Sequence, residues 1–245
     1  HSFPTRRSSD LSFRDRVAKA TVVAPLTAEE VRRHNERTAY ATAQRLAEEA
    51  NRREAAMLAS VGRRYATATV ESYLATTKAQ SEVKADVARY VDRLAENVKA
   101  GVGVVLLGPP GTGKDHLAIA ILRVAARQGF RVSWVDGMEL FASARDNIDA
   151  DQTEAKWAKR FTEPDMLLIS DPVPPVGEVK EGFQIATLFR IVDRRYRDMK
   201  PTLITINAEN AADAAKRTSA NIVDRLSHGS LILNCYWPSY RRSTP

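Results

Sequence analysis

Residues 102–122, VGVVLLGPPGTGKDHLAIAIL, set a lysine at the end of a glycine-rich turn, between an apolar run and an amphipathic one. That order can hold phosphate. Gly108, Gly111 and Gly113 let successive backbone N–H groups point inward at an anion, with Pro109, Pro110 and Thr112 completing the turn. A helix expected from about Asp115 aims its positive end at the same point. Lys114 supplies a mobile ammonium for β and γ phosphates, and Asp115 and His116 follow it at the helix start. A Gly/Pro surface turn before a helix would share these glycines, but strand, spacing, lysine and helix agree on a phosphate loop. One position departs from the pattern. The residue after the lysine is ordinarily Ser or Thr, whose hydroxyl touches Mg²⁺, and here it is Asp115.

Several elements must position this loop. Val104 to Leu107 read as a buried strand, and Leu117, Ala118, Ile121 and Leu122 fall at helical spacing. Gly129 stops that helix, and FRVSWV, residues 130–135, reads as a second strand. Asp136 and Gly137 turn the chain into a helix holding Met138, Leu140 and Phe141, and the polar stretch from Ser143 to Thr153 is expected to be a loop. A short helix around Trp157 follows. Met166 to Ile169 form a third apolar strand whose carboxyl end presents Ser170 and Asp171, ahead of the segment PVPPVGEV. Residues 184–199 place Ile185, Leu188, Phe189, Val192, Tyr196 and Met199 on one helix face, and TLITI after Pro201 is a strand ending at Asn207. Alternation of this kind means an α/β fold with a doubly wound parallel sheet and ligands at the carboxyl ends of its strands.

Upstream, Thr27 and Glu30 form a capping-box pattern that opens a long helix, expected from Ala28 to Arg64. Its apolar positions, Val31, Leu46, Ala50, Met57, Leu58 and Val61, make a thin stripe among arginines. Such a helix needs a partner surface. A second helix is expected over Glu82–Lys99, with Val83, Val87, Tyr90, Val91, Leu94 and Val98 on one face and Gly101 ending it.

Of the formal net charge of +7, most lies at the N-terminal end: residues 1–65 hold 13 Lys/Arg against 8 Asp/Glu, and residues 66–245 hold 24 against 22. A basic helix suits a polyanion or an acidic partner surface, although a solvated arginine face is the commoner meaning. The first eleven residues, HSFPTRRSSDL, resemble the translation of a sequencing-library adapter and are set aside from fold reasoning. The expected organisation is therefore 1–11 adapter-derived, 12–65 a basic helical extension truncated upstream, and 66–245 a nucleotide-binding domain. No window approaches eighteen consecutive apolar residues, so no membrane span is expected. The single cysteine, Cys235, lies in the apolar run LILNCYW and reads as a packed core thiol, which fits a cytoplasmic protein.

Five elements occur in a specific order: GPPGTGK-x-HLA, an apolar strand ending in acid, RRY before a K-P-T strand ending in Asn, an S/D-R-L element, and W-x-SYR near the end. This order resembles the DnaC-type helicase loaders and IstB-type transposition helpers, both AAA+ ATPases, from about Arg64 to Arg241. The resemblance implies a P-loop NTPase fold of AAA+ type with an N-terminal helical extension, and ATP and Mg²⁺ as cofactors. It implies self-association through the ATP sites, a replicative helicase or transposase as partner, and single- or double-stranded DNA as a further partner. By matching motif, Lys114 would bind the β and γ phosphates, Asn207 would orient the attacking water, and Arg225, in VDRL, would act as an arginine finger in a neighbouring subunit. Without the resemblance, Asn207 reads as a strand-end turn residue and Arg225 as a surface arginine.

In proteins of this kind the apolar strand ends in two adjacent acids, the first for Mg²⁺ and the second to activate water. Counting from Met166–Ile169, Ser170 takes the metal position and Asp171 the catalytic one; sliding by one makes Asp171 the metal acid and leaves Pro172 as base. A carboxylate beside a triphosphate is repelled unless a cation lies between them, so Asp115 is expected to ligate Mg²⁺. This suggests an exchange, with the carboxylate moved to Asp115 and the hydroxyl to Ser170, leaving Asp171 free as the catalytic acid. The expected activity is ATP hydrolysis by a DNA-associated loader or helper; the alternative is an ATP-gated adaptor that binds nucleotide with little turnover.

Overall fold

The computed structural model describes residues 26–149, 153–172 and 182–242. The adapter-like residues 1–11 and most of the segment after Pro172 lie outside the described residues. The chain divides between Leu46 and Ala47 into two units. Of the first, the described part is helical and exposed throughout. Its helix, α1 (Ala28–Val61), runs on into the second unit, and the capping box is formed: Thr27 N–H donates to Glu30 Oε2 at 2.8 Å, and Glu30 N–H to Thr27 Oγ1 at 3.3 Å.

The second unit is a five-stranded parallel sheet of order β2-β3-β4-β1-β5, with β1 Val104–Gly108, β2 Val132–Asp136, β3 Met166–Ser170, β4 Thr202–Asn207 and β5 Leu231–Asn234. Continuous apolar runs such as MLLI suit strands covered on both faces. One face carries α2 (Lys78–Asp92), α4 (Lys114–Arg127) and the end of α1; the other carries α5 (Gly137–Asp149), α6 (Glu154–Thr162), α7 (Gly182–Arg197) and α9 (Ala220–Ser227). The short α3 (Leu94–Ala100) precedes β1, and α8 (Ala211–Arg217) follows β4. This is the doubly wound AAA+ type of P-loop fold.

Four local expectations are corrected. The first helix ends at Val61, because Gly62 takes φ 86°, and Arg63–Tyr65 form a separate 3₁₀ turn. Of its apolar stripe, Val31 (41% exposed) and Leu46 (60%) face solvent, while Met57 and Val61 are buried. The second helix starts at Lys78, four residues early, because Thr77 and Gln80 form a capping box, and it breaks at Arg93 into α2 and α3. The expected loop from Ser143 is helix through Asp149. Its polar composition concealed Ala144, which continues the Leu140–Phe141 face into the core, and Ser143 is tied down by Trp157 Nε1 at 3.2 Å.

The root of α1 is bound to the phosphate-loop helix by charge. Glu54, nearly buried, pairs with both Arg123 and Arg127 of α4. Burial pushes the Glu54 carboxyl up, but the bonds from Arg127 and Arg123 prevail and hold it below its ordinary value.

Candidate functional site

At the carboxyl ends of β1, β3 and β4 lies a cleft of about 710 Å³, lined by phosphate-loop residues and by Ser170, Asp171, Thr205 and Asn207. The loop turns where only glycine serves. Gly113 has φ 89°, and a Cβ there would come within 2.7 Å of the Tyr73 ring. The turn is braced from behind: the carbonyl of Thr112 accepts from Trp237 Nε1 at 2.9 Å and Tyr73 OH at 3.3 Å, and Tyr240 N–H donates to Gly111 O at 2.9 Å. The terminal W-x-SYR motif is therefore a strap on the phosphate loop. His116 also lines the cleft, and its Nε2 lies 2.9 Å from Thr69 O and 3.2 Å from Ser72 Oγ, joining the segment before α2 to α4.

Lys114 is 5% exposed and burial pushes its ammonium pKa down. Its Nζ donates to Gly108 O and Pro109 O, each at 2.8 Å, and to Asn207 Oδ1 at 2.9 Å. Asn207 in turn donates its side-chain amide and, at 3.3 Å, its backbone N–H to the Asp171 carboxylate. Burial drives the Asp171 carboxyl above its usual range, against the Asn207 bonds and the Lys114 charge. Asp171 also holds φ 46°, an unusual backbone for a residue other than glycine, pinned by its N–H donating to Thr205 O at 3.0 Å. Lys114, Asn207 and Asp171 thus form one hydrogen-bonded chain across three strand ends.

Beside it, Asp115 Oδ1 accepts from Ser170 Oγ at 2.8 Å and from Thr205 Oγ1 at 2.7 Å. The two positions whose residue types are exchanged relative to the usual pattern are in direct contact. Thr205 escaped the sequence reading, although it lies two residues before Asn207 and so shares its strand face. Tyr65 also escaped notice; burial, and next the Asp115 charge, push its phenol up. Among the described residues, no group of three or more His, Cys, Asp or Glu forms a metal cage. The donors at Asp115, Ser170 and Thr205 are all oxygen, which fits a hard cation shared with phosphate, such as Mg²⁺.

Arg225 lies outside the cleft. Its Nε donates to Asp193 Oδ1 at 2.9 Å, and its guanidinium stands 4.8 Å from the Phe189 ring centre. Cys235 is fully buried, and burial pushes its thiol up to about 12.

Residues 15–245 match the family model described as IstB-like ATP binding protein. The chain belongs to that family. This IstB-like chain is 34% identical over 145 residues to the ATP-binding protein of insertion sequence IS5376 from Geobacillus stearothermophilus, covering 56% of this chain and 55% of that relative. It is 25% identical over 174 residues to the replicative helicase loader DnaC of Escherichia coli K12, covering 70% and 68% of the two chains. The crystal structure of the DnaC helicase loader superposes with a TM-score of 0.64 at 25% identity, covering 71% of this chain and 99% of that one. The match thus spans about half the length of the insertion-sequence relative. No helix among the described residues is long and apolar enough to cross a membrane.

Proposed function

We propose that the IstB-like chain is a cytoplasmic, DNA-associated ATPase that acts as a replicative helicase loader or transposition helper. The observation that carries the enzymatic part is the Lys114–Asn207–Asp171 chain, which places a cation, an amide and a carboxylate around one cleft. Lys114 transfers its hydrogen bonds from the loop carbonyls and Asn207 to the β and γ phosphates. That frees Asn207 Oδ1 to accept from and orient a water, while the Asn207 N–H groups hold the Asp171 carboxylate that accepts the proton as the water attacks. Asp115, with the hydroxyls of Ser170 and Thr205, would hold Mg²⁺, exchanging the usual order of hydroxyl and acid. Bound there, the metal would neutralise charge on the phosphates. Arg225 leaves Asp193 to enter the site of an adjoining copy, so that ATP joins protomers and hydrolysis releases them. The N-terminal arginines supply contact to DNA, and a helicase or transposase is the protein partner. The chain to residue 65 is a basic extension, and the ATPase domain follows it.

A second reading, an ATP-gated adaptor without turnover, is favoured by Ser170, which leaves the strand end one acid short. The deciding experiment is ATP turnover with Mg²⁺, with and without single-stranded DNA, beside Lys114→Ala. Turnover that rises with DNA and vanishes in the variant is the expected result. Tight Mg²⁺-dependent binding without turnover would replace the ATPase reading with the adaptor.

A further inference from the structure

The acid missing at Ser170 has a neighbour at the same level of the sheet. In the parallel ladders Asp136 pairs with Ser170, and Ser170 with Thr205. Residues paired in register point to the same face, so Asp136, Ser170 and Thr205 form one row across the ends of β2, β3 and β4. Two members of this row already donate to Asp115 at the start of α4. Asp136 lies one strand spacing, about 4.8 Å, beyond Ser170, and it lines the same cleft.

One oxygen of Asp136 is occupied locally: Oδ1 accepts the Met138 N–H at 2.9 Å and caps the start of α5. Its other oxygen has no hydrogen-bond partner among the described residues. Two residues back on the same face, Trp134 also lines the cleft, and its indole nitrogen is buried without a partner. A buried donor and a half-used carboxylate on adjacent same-face positions are what a hydrated ligand would satisfy.

We propose that Asp136 is the second carboxylate of the divalent-cation site, holding Mg²⁺ through its water shell in place of the acid absent at Ser170. The inference rests on the ATP reading above. Mg²⁺ dehydrates reluctantly and keeps several waters when shared between one or two carboxylates and phosphate oxygens. A carboxylate set one strand away from the inner position accepts from those waters, and Ser170 leaves the space that an acid side chain would fill. Asp136 is a positioning residue: it orients the hydrated ion against Asp115 and touches no phosphate.

The test uses the full chain, a fluorescent ATP analogue and Mn²⁺ detected by electron paramagnetic resonance. Asp136→Asn keeps the Oδ1 acceptor for Met138 and removes only the charge; Asp136→Ser preserves the cap by another route. Both should bind the analogue in EDTA as the wild type does, with unchanged melting, and lose about tenfold in Mn²⁺ affinity in its presence, as outer-shell ligands do. Ser170→Asp added to Asp136→Asn should restore that affinity. Unchanged Mn²⁺ affinity in both single variants, with a loss in Asp115→Asn, would reduce Asp136 to a helix cap and overturn the inference alone. Wild-type protein that fails to bind the analogue at all would overturn the ATP reading, and the inference with it.

Discussion

Two buried cations lie at opposite ends of the parallel sheet, and they are bound in different ways. Arg195, fully buried at the amino ends of β3 and β4, spends all five N–H donors: Nε on Thr202 Oγ1, and the terminal nitrogens on the carbonyls of Phe161, Pro164, Asp165 and Pro201. Lys114, at the carboxyl ends, spends its three donors on two loop carbonyls and one side-chain amide at the wall of the cleft. Both are desolvated, and burial pushes the Arg195 pKa down to about 9. The planar guanidinium ties four backbone carbonyls from two chain segments together and has nothing left to give. A compact ammonium on a flexible stem can exchange its acceptors for phosphate oxygens. A buried charge is structural when every donor is met by acceptors packed in the interior, and functional when its acceptors line a cavity.

The largest expected effect tests the structural end. Arg195→Met strands four carbonyls and a hydroxyl and should cost about 4 kcal/mol in urea unfolding, with Arg195→Lys recovering only part of it because three donors replace five. Wild-type stability in Arg195→Met would erase the distinction between the two cations. At the other end, Lys114→Met should lower turnover about a hundredfold, while its melting temperature is no lower than that of the wild type, since a desolvated charge has been removed. A large loss of stability would make Lys114 a second Arg195.

The smallest effect concerns Asp171. Its folded carboxyl titrates above the unfolded one, so the folded state holds its proton more tightly. That contribution to stability is full below the ordinary carboxylate range and is lost as pH rises through the raised value. Nucleotide-free wild type should therefore lose stability relative to Asp171→Asn across that window, read as paired melting curves against pH. A constant difference would mean that Asn207 and Lys114 already compensate the charge.

Much of this is legible in the sequence. The phosphate loop is a local signal, because glycines, lysine and helix start fall within a few residues, and the apolar runs at β1, β3 and β4 mark strands covered on both faces. Legibility failed where polar composition concealed a buried face, as at Ser143–Asp149, and where an earlier cap outranked the first apolar residue, as at Thr77. It failed also for W-x-SYR, whose pattern was visible but whose action on Gly111 and Thr112 needs the chain to return across more than a hundred residues.

The sequence by itself determined the elements and the site's first members, since periodicity, caps and a glycine turn are properties of neighbours in the chain. Only the tertiary structure decided that Thr205 joins Ser170 on Asp115, that Asp136 lines the same cleft, and that Arg195 is a clamp rather than another surface arginine. These residues come from five elements, and their meeting depends on strand order and register. Both are set by how the helices pack on the two faces of the sheet, an interaction between distant segments that no local pattern encodes.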